Sequence, residues 1–455
     1  MTERHKVVIL GGGFAGLYAA LELEKDLPKH ANVEVTLVSR ENFFLFTPML
    51  HEVAAGDLDP TNIVNPVRKL LQRVSFFEGK VLRIDLLNKT IAVQHGFDEH
   101  THELQYDQVI LALGSTTQFF NLPGVEEHAL TMKTLTDAVK LRNHLIAVLE
   151  ETDTKCAQDK RHDLLSVIVA GAGFAGVETL ASINDFLRQS MQFYRNLSED
   201  DLRVALIHPG DVILPELSPQ LGSYAQRKLE ERGVEVHANS RVASYDGDMV
   251  QLTNGARIPT RTLIWTAGTM PHPLIGTLPC ERERGRLKVS PELAVTGWPG
   301  VWALGDCALI PDLVTGSFCP PTAQHALRQG KVVAQNVLAH AEGRRLRKFR
   351  FKTIGQLASI GHRAGVASIL GVNISGFLAW WMWRTIYLSK LPRLEKKLRV
   401  ALDWTLDLMF SKDLCQSLEV RRDKQDDLDR PREPGHASQT VLIEKPYAPA
   451  VSRSE

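Results

Sequence analysis

Val7-Val8-Ile9-Leu10 runs straight into Gly11-Gly12-Gly13-Phe14-Ala15-Gly16, and Val167-Ile168-Val169-Ala170 runs straight into Gly171-Ala172-Gly173-Phe174-Ala175-Gly176. Each is an apolar strand-type run, a G-x-G-x-x-G turn and a helix-type run, the context that marks a dinucleotide site. Gly11 and Gly171 allow the tight turn from strand to helix. Gly13 and Gly173 let backbone N–H groups approach a pyrophosphate, and Gly16 and Gly176 let the helix pack on the strand. The free N–H groups and the dipole of the helix N-terminus then hold the anion. Two such turns, at residues 11 and 171, predict two dinucleotides on one chain, with electrons passing between them.

The surroundings of the two turns repeat as well. Val33 to Val38 reads as the second strand of the first unit, and Val204 to His208 as that of the second. The segments from Val81 to Leu87 and from Gln108 to Leu113 read as further strands, closed by Gly114. Pro123 and Gly124 punctuate a crossing between domains, and Thr134 to Glu150 has helical periodicity. The second unit opens at Ser166, with a helix from about Ala175 to Ser190. Its late strand, Arg261 to Thr266, ends in Ala267-Gly268, which parallels Ala112-Leu113-Gly114. Residues 300–306 return the chain to the first unit. Pro320-Pro321-Thr322 then opens a helix to about His340, with the prolines suited to its first turn. The predicted class is α/β, with two Rossmann-like dinucleotide-binding domains.

The chain has 455 residues, enough for two or three domains. Its 53 basic and 53 acidic residues leave no net charge to draw nucleic acid. None of the five cysteines forms a C-x-x-C pair, which argues against a dithiol centre and a zinc site. No metal is expected. Met1 to Lys6 leads directly into the first strand, so no signal peptide is expected, and a reducing, cytosolic side follows.

The C-terminal region differs in kind. It holds Trp380, Trp381, Trp383 and Trp404, four of the seven tryptophans, so its surface chemistry departs from the rest. Ala364 to Trp383 is twenty residues without a charge, the length of a membrane span. Gly365, Ser368, Gly371, Asn373, Ser375 and Gly376, however, give its first half a strand-and-turn composition. From Phe377 the pattern is helical, broken by Arg384 and Pro392. A second helix from Arg393 places Leu394, Leu398, Ala401, Thr405 and Leu408 on one side. Arg384, Lys390, Arg393, Lys396, Lys397 and Arg399 flank these faces against one acid, Glu395. Tryptophan beside Lys and Arg on short amphipathic helices predicts an interfacial anchor on a lipid bilayer. The same helices could instead build a homodimer. The charged, Pro-rich residues 421–455 are expected to be disordered.

Taken together, these motifs resemble the two-dinucleotide-binding-domain flavoproteins, and more specifically the type II NADH dehydrogenases, the non-pumping NADH:quinone oxidoreductases. The resemblance covers roughly residues 5 to 418. It rests on GGGFAG with LFTPML (45–50), GAGFAGVE (171–178), ALGDC (303–307) with PPTAQHALRQG (320–330), and ISGFLAWWMWR (374–384). It implies an FAD-binding domain at 1–120 and 290–345, an NAD(P)H-binding domain at 121–289, a membrane-anchoring region at 346–420 and a tail at 421–455. On the flavin side it implies Gly11, Gly13, Phe14, Ala15 and Gly16 at the pyrophosphate. Asp306, beside Gly305, would bind the ribityl chain, and Thr47 and Pro48 would lie near the ring. Val81, Ala112 and Gly114 would complete that wall. On the nicotinamide side it implies Gly171, Gly173, Phe174, Ala175, Gly176, Ala267 and Gly268. Ala323 and Gln324 would form the helix N-terminus facing the flavin, where the dipole favours the negative charge of the reduced ring by ~0.3–1 kcal/mol. Glu178 would lie near the nicotinamide and the quinone path, and pass or organise protons.

Three departures from the family pattern stand out. An acid usually follows the first fingerprint by about 20 residues and binds a ribose; here Ser39-Arg40-Glu41 stands at the strand end, and Ser39, Arg40 and Glu41 share the candidacy. At the second site His208 replaces the carboxylate that would repel the extra phosphate of NADPH, so both NADH and NADPH stay open. In the quinone motif AQxAxQ, Gln324 is retained and Arg328 replaces the second Gln, donating with a charge. His51-Glu52 fails the H-E-x-x-H zinc spacing, because position 55 is Ala. Cys319 reads as a small buried residue, and Lys352 as a solvated strand residue. The expected function is oxidation of NADH through FAD with reduction of a respiratory quinone, at the cytoplasmic face of a membrane. No series of intramembrane carboxylates suggests pumping. The alternatives are a sulfide:quinone oxidoreductase, which would need Cys156 and Cys319 as a thiol pair, and a flavin-carrying, NADH-sensing interaction protein.

Overall fold

The run His5–Leu10 is the central strand of a five-stranded parallel sheet, in a computed structural model that describes residues 4–30 and 32–416. The strand order is Val301–Ala303, Gln108–Leu111, His5–Leu10, Val33–Ser39, Ser75–Glu78. Val7 to Leu10 are all buried, as a parallel strand covered on both faces requires. A second five-stranded parallel sheet repeats the last four places of this order, with an edge strand from ahead of its fingerprint: Leu130–Thr131, Thr262–Trp265, Ser166–Ala170, Arg203–Ile207, Val234–His237. Each carries a three-stranded antiparallel sheet. The first is built from Lys80–Asp85, Thr90–His95 and His100–Gln105, the second from Val242–Tyr245, Met249–Leu252 and Arg257–Pro259. The tail at 421–455 and the side chain of Cys156 lie outside the described residues.

The helices that build the site are, in chain order, α1 (Phe14–Asp26), α2 (Leu50–Ala54), α3 (Leu135–Thr152), α4 (Phe174–Met191), α5 (Ala323–Ala341), α6 (Phe377–Lys390) and α7 (Leu394–Leu406). Helices α1 and α4 both start one residue after the second fingerprint glycine. Helix α3 starts with a capping box, in which Thr134 and Asp137 satisfy each other's backbone N–H groups.

Some sequence expectations are corrected. Pro320 and Pro321 are not in the first turn of α5. Thr322 caps that helix in an extended conformation, and its N–H is held 2.9 Å from the Pro320 carbonyl, so the Pro–Pro pair stands outside the helix. Lys352 is exposed as expected, but it sits in an irregular segment ahead of the strand Gly355–Ser359. The charge-free stretch from Ala364 divides between a sheet and a helix. Gly355–Ser359, Gly365–Ile369 and Val372–Gly376 form an antiparallel meander before α6 begins. No helix among the described residues is long and apolar enough to cross a membrane.

Helix α5 lies against α1 with its backbone nearly touching. A Cβ on Gly330 would come within 2.5 Å of the Ala15 carbonyl oxygen and 2.8 Å of the Ala19 nitrogen. One residue earlier on α5, Gln329 accepts the Gly305 N–H at 3.0 Å, which sets the ALGDC loop over the first glycine turn. We expect Gly330→Ala to destabilise the protein by about 1–3 kcal/mol through overpacking, seen as a lowered denaturant midpoint together with weaker flavin retention.

Candidate active site at the glycine turns and C-terminal helices

The two turns have one stereochemistry. Gly11 and Gly171 hold φ of 109° and 108°, which favours glycine. A Cβ on Gly11 would overlap the Ala112 carbonyl, and one on Gly171 would lie 2.7 Å from the Ala267 Cα. Side chains at Gly16 and Gly176 would run into the carbonyls of Gly11 and Gly171. Gly13, by contrast, has nothing within 4 Å of its missing Cβ. A backbone nest at the start of α1, walled by glycine and open at Gly13, fits a pyrophosphate.

At the second turn the equivalent space holds a side chain that the sequence did not flag. A Cβ on Gly173 would be 2.9 Å from Glu216 Oε1, so this carboxylate lies against the N-terminus of α4. Phe174 is half-buried and Ala175 exposed there. Phe120 covers the far side of the turn, its ring 2.8 Å from a Cβ placed on Gly268. Burial holds the His208 imidazole below its ordinary range, so the strand end presents a neutral ring.

Around the first turn, Ser39 Oγ lies 2.7 Å from a Cβ placed on Gly12, while Arg40 and Glu41 pair with each other at 3.2 Å on the surface. Asp306 accepts from Ser115 Oγ at 2.6 Å, and Lys133 Nζ donates to the same hydroxyl at 2.8 Å. Ser115 follows Gly114, whose φ is 70°. Thr47 and Pro48 begin a single turn of 3-10 helix before α2. Phe46, just before it, is buried and packs 5.7 Å from Phe14, which also meets Phe44 edge-on at 4.9 Å. The LFTPML loop is thereby locked to the fingerprint. Val81 is half-buried in the strand Lys80–Asp85.

Glu178 lies on α4, two residues past Gly176, and is buried. Its Oε1 accepts the Ser359 N–H at 3.1 Å and the Trp383 indole N–H at 2.9 Å. Its Oε2 is 4.0 Å from His51 Nδ1. Burial pushes the Glu178 carboxyl up to about 8 and the His51 imidazole down to about 3. Both are neutral at pH 7, and His51 Nε2 is buried with no hydrogen-bond partner among the described residues. Next to it, Glu52 accepts the Trp404 indole N–H at 3.1 and 3.2 Å, and burial pushes it to about 8 against the pull of Arg384. The Arg384 guanidinium lies over the rings of Trp380 and Trp404, at 4.4 and 4.6 Å. Trp383 packs on Tyr387 at 4.8 Å, and Tyr387 on Phe46 at 6.1 Å. A column of rings, Phe14–Phe46–Tyr387–Trp383, thus runs from the first glycine turn to Glu178.

This corrects the expected use of the C-terminal residues. Trp383 and Trp404 are buried donors to carboxyls, since an indole N–H inside a protein needs an acceptor. Arg384 turns inward, and Lys396 is buried with Nζ 2.6 Å from the Thr61 carbonyl. Lys390, Arg393, Lys397 and Arg399 remain as the cationic flank. The outward stripe on α7 is Leu394, Leu398, Leu402 and Leu406, joined by Phe377, Leu378 and Trp381 of α6 and by Leu408. Thr405 is exposed beside it, whereas Ala401 is half-buried.

Gln324 and Glu178 reach opposite ends of one strand. Gln324 Nε2 donates to the Gly355 carbonyl at 3.2 Å, while Glu178 holds Ser359. Arg328 donates to the Gln324 carbonyl at 2.8 Å and stacks 4.0 Å over Phe351. Ala323 opens α5. The Cys319 thiol is buried beside the Pro311 carbonyl and pushed up to about 11, so it is no thiolate at neutral pH. Among the described residues no His, Cys, Asp and Glu cluster suits a metal.

Two glycine turns on duplicated sheets define a pyridine nucleotide-disulphide oxidoreductase, and residues 5–330 match the model of that family. Residues 354–413 match the NDH2 C-terminal domain. The type II NADH:quinone oxidoreductase Ndh of Mycobacterium tuberculosis is 30% identical over 427 residues, 90% of this chain and 89% of that protein. The demethylphylloquinone reductase NdbB of Synechocystis sp. is 32% identical over 413 residues, 89% of this chain and 96% of that protein. The solved structure of NDH2 from Plasmodium falciparum in complex with NADH has a TM-score of 0.83 at 21% identity, covering 91% of this chain and 100% of that one. The chain belongs to the type II NADH:quinone oxidoreductases.

The two raised carboxyls give a pH signature. Unfolded, Glu52 and Glu178 titrate near the ordinary 4.5; folded, near 8. The folded state binds their protons more tightly, so their contribution is full below about pH 4.5 and lost as pH rises through 8. Melting temperatures at pH 5.5 and 8.5 should show a drop at the higher pH that is smaller in Glu52→Gln.

Proposed function

We propose that this protein binds FAD at the first glycine turn and NADH at the second, and passes two electrons from NADH to a membrane quinone. The domain limits that go with this reading are 1–120 with 290–345 for FAD, 121–289 for NADH, and 346–420 for the membrane-facing region. The observation that carries it is Glu178. A neutral, buried carboxyl on the helix of the nucleotide turn is held by the C-terminal meander and α6. Its family membership supplies the donor and acceptor classes.

When bound, the flavin supplies the redox chemistry, accepting a hydride and releasing an electron pair. The chain supplies position and protons. Gly11, Gly13, Ala15 and Gly16 would seat the pyrophosphate, and Asp306, steadied by Ser115 and Lys133, would hold the ribityl chain. Ser39 is the ribose partner favoured by its contact with the turn. The start of α5, at Ala323 and Gln324, offers free N–H groups to developing negative charge. Making a quinol takes up two protons for two electrons. Glu178 is protonated at pH 7 and stands beside His51, so it holds a proton ready at Oε2. Arg328 and Gln324 are the candidate donors to the quinone carbonyls. With the neutral His208 in place of an acid, NADPH is admitted beside NADH.

The leucine stripe of α7, with Phe377, Leu378 and Trp381 of α6, supports attachment to a bilayer surface, where a hydrophobic quinone resides. We place that surface on the cytoplasmic side. A homodimer through the same face is the other use of the stripe.

Anaerobic absorbance of the flavin-loaded protein tests the central reading. NADH should bleach the flavin and a short-chain quinone should restore it; bleaching without recovery would remove the quinone assignment. Glu178→Gln should slow the quinone step by about tenfold or more, with flavin content and bleaching by NADH unchanged. At the second turn the Glu216 carboxylate competes with the incoming pyrophosphate. Glu216→Gln should lower KM for NADH by about two- to fivefold at constant kcat, and an unchanged KM would show that Glu216 does not occupy the phosphate seat.

A further inference from the structure

On the flank of α5 lies an open concavity of about 350 Å³ that the redox reading touches only at Arg328. Helix α5 contributes Arg328, Lys331, Val332 and Gln335 to it, and the extended segment 347–351 forms the facing wall. Its charge is one-sided. Arg328, Lys331, Arg347, Lys348 and Arg350 all line it, without one acid, in a chain whose formal net charge is zero. None of these five makes an ion pair among the described residues. Arg347 Nη1 donates to the neutral Gln335 Oε1 at 2.6 Å, and Arg328 is occupied by a carbonyl and a ring.

The cavity walls are built, not draped. Asn336, wholly buried, accepts the Arg347 N–H at 2.7 Å and donates to the Arg347 carbonyl at 2.9 Å. Two residues on, Phe349 is buried and its N–H meets the Pro291 carbonyl at 2.7 Å. Phe351 carries the Arg328 guanidinium on its face. The backbone that carries Arg347, Lys348 and Arg350 is therefore anchored, and the cations gather along it with no internal acid to offset their mutual repulsion. An external anion relieves it. Arginine forks and lysine ammonium groups around a rigid concavity match the oxygens of a phosphate.

We propose that this concavity binds a phosphate-bearing anion, whether a soluble polyphosphate or the headgroup of an anionic phospholipid. Lys331, Arg347, Lys348 and Arg350 have no part in the electron-transfer reading, and the test reads binding, not turnover.

The test uses the flavin-loaded full chain with saturating NAD+, which keeps the second nucleotide turn filled. Inorganic pyrophosphate is titrated calorimetrically. In parallel, flotation is compared between vesicles of phosphatidylcholine alone and vesicles containing phosphatidylglycerol. The decisive variant is Lys331→Glu with Lys348→Glu, both exposed and outside the redox site. Lys390, Arg393, Lys397 and Arg399 also favour anionic vesicles, so the variant decides rather than the vesicle. Saturable pyrophosphate binding, weakened about tenfold or more in the variant, supports the proposal with a soluble ligand. Binding to anionic vesicles alone, weakened roughly fivefold per cation removed, supports it with a lipid headgroup. Bleaching by NADH at wild-type extent certifies that the variant is folded, and Lys348→Arg should bind as wild type does. No saturable binding to either probe, or binding that the double variant leaves unchanged, overturns the proposal.

Discussion

A carboxyl cannot be left both charged and buried without partners, and Glu178 shows how the chain meets that constraint. It gives up its charge, takes two N–H donors, and draws both from the C-terminal region: Ser359 from the meander and Trp383 from α6. Glu52 repeats the solution with Trp404 of α7. Each of the last two helices is thus tied by an indole to an acid in the body of the protein. Their outward faces are left free to be apolar because their inward faces carry the polar attachment.

The glycine turns impose the other constraint. At Gly16 and Gly176 the helix crosses its own strand at backbone contact, and at Gly330 a third helix crosses α1 just as closely. Gly330 belongs to PPTAQHALRQG, so this motif is structural at its end as well as chemical at its start. Gln329, its neighbour, carries the crossing on to Gly305 and so to Asp306. The position of Asp306 near the first turn therefore depends on the helix that follows it in the chain.

Much of this was legible before the fold was. The central strands of both sheets follow from apolar runs placed alike around two fingerprints, because local turn chemistry and burial agree there; the strand order and the edge strands Ser75–Glu78, Leu130–Thr131 and Val234–His237 depend on tertiary pairing. Glu178 was legible as a residue but not as an environment: burial by α6 and the meander is a tertiary fact. Trp383 and Trp404 were misread for the same reason. Tryptophan beside Arg and Lys looks alike whether the ring faces lipid or a carboxyl, and only the acceptor distinguishes them. His51 and Glu52 were weighed as a metal motif, and their actual partners lie far along the chain. Glu216 left no trace in sequence, since its position depends on how a loop returns to a turn some forty residues earlier, a distance that pattern reading does not bridge.

The two indole attachments have a consequence for biosynthesis. Chains emerge from the ribosome N-terminus first, and early units tend to fold as they appear. Both glycine-turn units are complete in sequence before Trp383 and Trp404 are made. Glu52 and Glu178 must then wait, hydrated or protonated, until nearly the whole chain has been synthesised. The final burial of these two acids is a checkpoint placed at the end of translation: a nascent chain acquires its finished interior only when the helices that carry the exposed leucine stripe have also arrived.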